Sequence, residues 1–426
     1  MEGCKSELDL FCSPGIQTSI KSSEIFKVTP LTKVNGIDGS IEFNIISQNG
    51  RYIDLASTLM EIFCRLQFTD GTNIPKNYNM FPEKNALHSM FNSVEIWLNE
   101  TKVSSSNNLY PYRAYFTNTL NYNKELKETL LLSEGYCDID DWPSSFKTAT
   151  RRDFTFYGRP HADLFFQDRL ILPGVNIRIK FNRSPEGFAV VDAETRDEEE
   201  SALKDKTLCM NILDMSLHVR MVELQPHKEQ AMELALSRQN ALYPIKRIEM
   251  RSLSITPGMR SYRFDNIITG VLPVKVIFGV VNHAAALGNE KMLAFDFGTH
   301  NLKEVSLLKN GASAGIPFTV ENDSGDPTPL AMRAYNALFS SAGCSGLSGH
   351  GITYHEFTTN TALFCYDLTP DDSSLDHSFL SPASSGTLSL KLDFNKNTVL
   401  PYNVIVLCEF DNNIKVDRLR NIIVDY

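Results

Sequence analysis

The run Gly343-Cys344-Ser345-Gly346-Leu347-Ser348-Gly349-His350-Gly351 is the stretch of this chain that most invites a chemical reading. A phosphate cradle of the P-loop type ends in Gly-Lys-Ser/Thr, so that a cation reaches the phosphates. This run contains no lysine. A nucleophile elbow needs Gly-x-Ser-x-Gly, which lets the serine sit on a strained turn. Here the fifth residue is Leu347 in one register and His350 in the other, so both registers fail. A flexible loop is the expectation.

Metal chemistry fares no better. His350 and His355 stand five apart at the start of what reads as a strand, where an odd spacing points side chains to opposite faces. The remaining histidines (His88, His161, His218, His227, His283, His300, His377) are scattered singly, and His218, alternating with apolar neighbours, reads as a surface residue. No His-x-His pair occurs, which disfavours metalloenzymes of the cupin kind. Cys137-Asp138-Ile139-Asp140-Asp141-Trp142 offers hard oxygen donors suited to Mg²⁺ or Ca²⁺ but lacks the glycine continuation of a calcium loop, and reads as an acidic turn. The sequons at Asn99, Asn182 and Asn322 are expected to stay unmodified, because the leading MEGCKSELDLFC does not read as a signal peptide. No catalytic, cofactor-binding or metal-ligating residue is expected, no cofactor, and no enzymatic activity.

Composition bounds the remaining classes. The 426 residues carry 41 basic and 51 acidic side chains, a net charge of -10. That balance argues against holding nucleic acid through neutralising charge of the chain's own. The longest basic grouping, Arg247 to Arg251, is interrupted by Ile248, Glu249 and Met250, and no aromatic platform with interleaved basic residues is present. No apolar run approaches the ~18 residues of a membrane-spanning helix. The eight cysteines form no Cys-x-x-Cys pair and are expected as free thiols in a reducing compartment.

The elements that must position any site are mostly strands. Met60, Ile62, Cys64, Leu66 and Phe68 alternate with Glu61, Phe63, Arg65 and Gln67, the pattern of a half-buried strand. Alternation recurs at Ile41/Phe43/Ile45, Val175/Ile177/Ile179/Phe181, Leu213/Met215/Leu217/Val219/Met221, Val274/Val276/Phe278/Val280, Leu388/Leu390/Leu392/Phe394 and Val404/Val406/Cys408/Phe410. Asn35-Gly36, Asp38-Gly39, Asn49-Gly50, Asp70-Gly71 and Asn310-Gly311 read as turns. Tyr112 to Leu131 reads as short helical pieces within a long connection. Pro226 to Ala241 reads as a helix with Met232, Ala235, Leu236 and Gln239 on one face, stopped by Pro244. That helix divides the chain into two antiparallel β-sandwiches. Asp192–Lys206, Asp323–Pro329, Ser340–Gly351 and Pro370–Gly386 read as polar loops.

Several segments, in order, carry a resemblance. Tyr52-Ile53-Asp54-Leu55-Ala56-Ser57-Thr58-Leu59 runs into the Met60–Phe68 strand, followed by Asn85 to Asn99 (NALHSMFNSVEIWLN) and Tyr110-Pro111-Tyr112-Arg113-Ala114-Tyr115. Then come Ile171-Leu172-Pro173-Gly174-Val175, Tyr243-Pro244-Ile245, Phe364-Cys365-Tyr366-Asp367-Leu368-Thr369-Pro370 and Asp417-Arg418-Leu419-Arg420-Asn421. From about residue 40 to its end the chain is similar to the major capsid (hexon) proteins of Maverick/Polinton elements and adintoviruses, and to related uncharacterised proteins of nematode and other animal genomes.

The resemblance implies an all-β double jelly roll, two tandem eight-stranded sandwiches with a few short helices in the connections. The expected division is an N-terminal arm (1–36), a first jelly roll (37–225), a connecting helix (226–243) and a second jelly roll (244–426). The implied role is that of a structural major capsid protein whose homotrimers form pseudo-hexameric capsomers of an icosahedral double-stranded DNA virus or virus-like mobile element. Its partners would be copies of itself, then penton and minor capsid proteins, with no strong direct nucleic-acid binding and no membrane-spanning segment. Its place would be the virion capsid, after synthesis in the host cytoplasm and assembly there or in the nucleus. The acidic stretch after Asp192 and the loops after Ser340 are candidates for tower or inter-subunit segments. The alternative is a β-sandwich carbohydrate-binding, lectin-like module.

Overall fold

Alternating burial along the chain becomes a set of antiparallel ladders. The computed structural model describes residues 16–34, 39–48, 50–76, 78–138, 141–142, 149, 151–193, 206–321, 330–341, 349–374 and 380–424. The first half contains β1 (Ile20–Val28), β2 (Ser40–Ile45), β3 (Arg51–Phe68), β4 (Met80–Pro82), β5 (Phe91–Leu98), β6 (Thr101–Ser105), β7 (Arg152–Gly158), β8 (Ile177–Arg183), β9 (Val190–Asp192) and β10 (Leu208–Leu224). The second contains β11 (Ala241–Ile255), β12 (Ser261–Val271), β13 (Lys275–Asn282), β14 (Leu302–Lys309), β15 (Ala312–Ser313), β16 (Phe318–Thr319), β17 (Phe364–Asp367), β18 (Ser385–Phe394), β19 (Tyr402–Val416) and β20 (Ile422–Val424). Among the described residues, no helix is long and apolar enough to cross a membrane.

Each half is a pair of sheets. The first stacks β1-β10-β3-β7 on β2-β8-β5-β6; the second stacks β11-β19-β13-β17 on β12-β18-β14-β15. Setting aside β4 and β9, which pair only with each other, and β16 and β20, which lie off the main paths, each half has eight strands among the described residues. Ranked along the chain, both halves read 1-8-3-6 in one sheet and 2-7-4-5 in the other. That shared order, with first and last strands paired and sheets exchanged at every step except the hairpin from the fourth strand to the fifth, is a jelly roll made twice.

Several local expectations change in the structure. The described part of the arm expected over 1–36 is no arm, because Ile20–Val28 pairs along β10 as an edge strand. Phe26 and Val28 pack on the first core, while Lys21 and Glu24 reach Glu223 and Arg51. Residues 1–15 and 35–36 lie outside the described residues, as do the whole of the expected loop 323–329 and parts of the other three. Leu213 was expected to face inward, but the β3–β10 register shifts between Ile212 and Asp214, and the buried residue is Ile212. A bulge adds one residue and so exchanges the faces.

The mid-chain helix spans Pro226–Leu236 rather than reaching Ala241, and Met232 on its expected apolar face is 50% exposed. Residues from Ala241 onward are claimed by a fifteen-residue ladder with β19, in which Tyr243 and Ile245 enter a core. Pro244 does not stop a helix; it sits within β11, an edge strand whose outer side tolerates a missing N–H donor.

The two cores interpenetrate. The cluster that fills the first sandwich also takes Tyr243 and Ile245 from β11, with Ile414 and Val416 from β19. The second takes Tyr112, Tyr115, Phe116 and Leu120 from the helix Tyr110–Asn121, which lies between β6 and β7, together with Phe188. Tyr115 stacks on Phe295 at 4.6 Å and on Phe297 at 5.7 Å, and Phe116 meets Phe297 at 5.2 Å. This contact explains why β13 is buried at every position but its last, where alternation alone leaves one face polar. The outer face of its sheet is covered by the first half.

Phe297→Ala removes the ring against which Tyr112, Tyr115 and Phe116 pack. It should destabilise the protein by about 3–5 kcal/mol and split urea unfolding into two transitions as the halves uncouple. One cooperative transition with an unchanged midpoint would contradict the shared core.

Candidate functional site: the seam between the sandwiches

Along the seam lies a cleft of about 450 Å³ whose lining includes Arg113, Asp163, Lys246, Lys275 and Glu409. Arg113, on the helix Tyr110–Asn121, donates to Asp163 at 2.6 Å, with both side chains almost fully buried. Asp163 also accepts from the Ser104 hydroxyl and from the Ile248 amide of β11, so one carboxylate ties two segments of the first half to the second. Lys275 and Glu409 face each other in register across β13 and β19 at 3.0 Å, as Lys246 and Asp411 do across β11 and β19 at 2.6 Å. Burial works against the Lys275 ammonium, but Glu409 together with Cys365 and Asp367 outweighs it and its pKa is raised. Arg113, Asp163, Lys246, Lys275 and Glu409 are thus each engaged in an ion pair. Such pairs add little net stability but make any other registry costly, since it would strand a buried charge.

A further carboxylate crosses the seam. Glu83 accepts from the Ala294 amide at 3.1 Å and from the Lys84 amide at 2.9 Å. Burial raises its pKa to about 7 despite those two donors.

Beneath the same helix is a buried histidine pair. His88 Nε2 lies 3.1 Å from Glu134 Oε2, and its Nδ1 lies 2.9 Å from the Tyr110 hydroxyl. Asn118 donates to Glu134 at 2.9 Å. His161 packs edge-on against His88, with ring centroids 4.4 Å apart. Burial and the neighbouring His88 push the His161 pKa well below its ordinary value, so it is neutral at physiological pH. His88, Glu134 and His161 each offer a ligand atom, all within 4.8 Å of one another. These residues are far apart in sequence and belong to no short motif, so only their meeting under the helix marks them out.

The residues singled out from sequence do not converge on a site. Within the glycine-rich run only residues 349–351 are described. There His350 is buried, its Nδ1 accepting from the Ile352 amide and its carbonyl accepting from Lys127 Nζ. His355 is exposed on the helix Tyr354–Thr359, not on a strand, because Thr353 and Glu356 form a reciprocal capping box that starts a helix there. His218 stays on the outer face of its sheet, 2.9 Å from Glu61. Asp138 pairs with Lys84 at 2.8 Å, and Asp140 lies outside the described residues. The basic grouping is partly neutralised from within, since Glu249 pairs with both Arg247 and Arg251.

The sequon residues Asn99 and Asn182 spend their amides within the fold, on the Arg420 carbonyl and the Ser93 hydroxyl; Asn322 lies outside the described residues. Cys64, Cys137, Cys209, Cys365 and Cys408 are free thiols. Burial pushes Cys137, Cys209 and Cys408 up to about 12, which leaves them without nucleophilic thiolate at neutral pH.

Comparison with known proteins gives a relative and a fold. No family model matches the chain. An uncharacterized protein of Caenorhabditis elegans is 23% identical over 97% of this chain and 99% of its own length. Among solved structures, the capsid of the PBCV-1 virus matches with a TM-score of 0.64 at 11% identity, over 98% of this chain and 99% of its own. The Sputnik virophage matches at 0.65 and 10% identity, over 100% and 92%. The mavirus major capsid protein matches at 0.53 and 10% identity, over 99% and 93%. The fold of this chain is that of the double jelly-roll capsid proteins.

The seam carboxylate gives a pH prediction. The pKa of Glu83 is raised on folding, so its contribution to stability is fully present below about 4.5 and is lost as pH rises through about 7. Glu83→Gln removes that loss. Urea titrations should show the variant gaining on the natural chain between pH 5 and pH 8.5, by up to about 3 kcal/mol. Parallel pH profiles would rule out a buried titrating Glu83.

Proposed function

We propose that this chain is a major capsid protein, the repeated shell subunit of an icosahedral double-stranded DNA virus or virus-like element of the Maverick/Polinton and adintovirus kind. The observation that carries the reading is the repeated strand order of the two halves, joined by a buried seam. Two like sandwiches held rigidly side by side present two near-equivalent lateral flanks. Three chains would then place six sandwiches around a three-fold axis, and such a pseudo-hexagonal block tiles a closed shell. The likeness to the capsid proteins of PBCV-1, Sputnik and mavirus supports the same reading over nearly the full chain.

The role asks for no catalysis. The buried charges Arg113, Asp163, Lys275 and Glu409 of the seam cleft are matched in pairs, and the described thiols are free, with most of them buried. The chain's partners would be its own copies, then penton and minor capsid proteins, and its place the virion shell. With a net charge of -10 it would line the particle without neutralising the packaged DNA, a task left to a separate basic protein. The lectin-like alternative has no comparable support.

Light scattering and negative-stain imaging of the purified chain test this. Particles of three times the chain mass with a hexagonal outline, or shells built from them, are the expected outcome. Compact monomers persisting at high protein concentration would overturn the reading.

A further inference from the structure

We propose that His88, Glu134 and His161 form a structural site for a divalent transition metal, of the two-nitrogen, one-oxygen type suited to zinc, which fastens the excursion between β6 and β7 to the first sandwich. The three ligand atoms lie within 4.8 Å of one another, and His88 Nε2 is already 3.1 Å from Glu134 Oε2. Tetrahedral bonds of about 2.1 Å set ligand atoms about 3.4 Å apart, so a displacement of His161 brings all three side chains to the metal, with the fourth position left to a water.

A second observation points the same way. His161 is 2% exposed, and its Nδ1 has no hydrogen-bond partner. A buried polar atom without a partner is costly, and in a native fold it calls for an explanation. A plain hydrogen-bonded network accounts for His88 and Glu134 but leaves that nitrogen idle. The Asn118 carbonyl oxygen is orphaned too, although its amide nitrogen holds Glu134 at 2.9 Å. A bound cation would give the His161 nitrogen its partner.

The outer contacts suit a metal site. Tyr110 Oη sits 2.9 Å from His88 Nδ1 and accepts from the His161 amide, so it can fix the His88 tautomer that leaves Nε2 free to ligate. Phe166 flanks the His161 ring at 5.2 Å. Zinc takes His88 as the neutral imidazole, with Nδ1–H on the Tyr110 hydroxyl and Nε2 turned to the metal.

The three ligands come from separate places: the turn Ala86–Ser89 before β5, the 3-10 turn Leu130–Glu134 within the excursion, and the segment after β7. A metal there would hold in place the helix Tyr110–Asn121, whose rings fill the second core. The inference is independent of the capsid reading, because it concerns how the two halves are joined.

Zinc alone, added to the purified full-length chain, is the probe. The expected result is ~1 zinc per chain by elemental analysis, a melting midpoint raised by several degrees and returned by a chelator, and, with Co²⁺ in its place, the intense visible absorption of a four-coordinate centre. His161→Gln and Glu134→Gln should lose both the metal and the shift while keeping the β-sheet circular dichroism of the parent. A natural chain that is folded yet gains neither metal nor stability overturns the proposal. So does either folded variant that retains stoichiometric zinc. If a variant fails to fold, the midpoints of the natural chain with and without zinc still decide.

Discussion

The helix Tyr110–Asn121 leaves the first sandwich between β6 and β7 and delivers Tyr112, Tyr115 and Phe116 into the second core, where Phe295 and Phe297 receive them. This burial converts two sandwiches into one body. Aromatic rings remove large apolar areas from water, and their stacked and edge-on contacts add geometric preference. Once the rings are fixed, the outer face of the β11-β19-β13-β17 sheet is covered, and its central strands become buried on both sides. The crossing of β11 and β19 into the first core completes the exchange, so that neither half closes its core without the other.

Polar groups then set the registry that apolar packing leaves loose. The pairs Arg113–Asp163, Lys275–Glu409 and Lys246–Asp411 sit along the seam, and a slip of one residue at any of them would leave a buried charge without its partner. Glu83 accepting from Ala294 does the same at another point of the seam, with a carboxyl that burial keeps close to neutrality. For the proposed shell subunit, a rigid seam has a plain value: lateral contacts with neighbouring copies can then act on one block, with no internal hinge to absorb the strain.

The strands were legible because one-sided burial writes a period of two into the residue types. Ile41, Phe43 and Ile45, or Met60, Ile62, Cys64, Leu66 and Phe68, could be read off directly, and the structure buries them as alternation requires. The reading slipped wherever a non-local partner intervened. Leu213 lost its inward place to a bulge against β3, and Ala241 left the helix for a ladder with a strand near the chain's end. Pro244 was tolerated because it landed on an edge, a property of the sheet order and not of the dipeptide. The buried histidine pair left no sequence signal, since His88 and Glu134 are 46 positions apart and meet only beneath a helix.

By itself the sequence determined the class of architecture, the two-fold division and the acidic surface. These follow from local periodicity, turn residues and a sum of charges, all additive along the chain. Tertiary structure alone decided which strands are covered twice, where edges fall, and which distant polar groups share one buried space. Those outcomes depend on contacts between residues far apart in sequence, and burial makes unpaired polar groups costly only after the contacts exist.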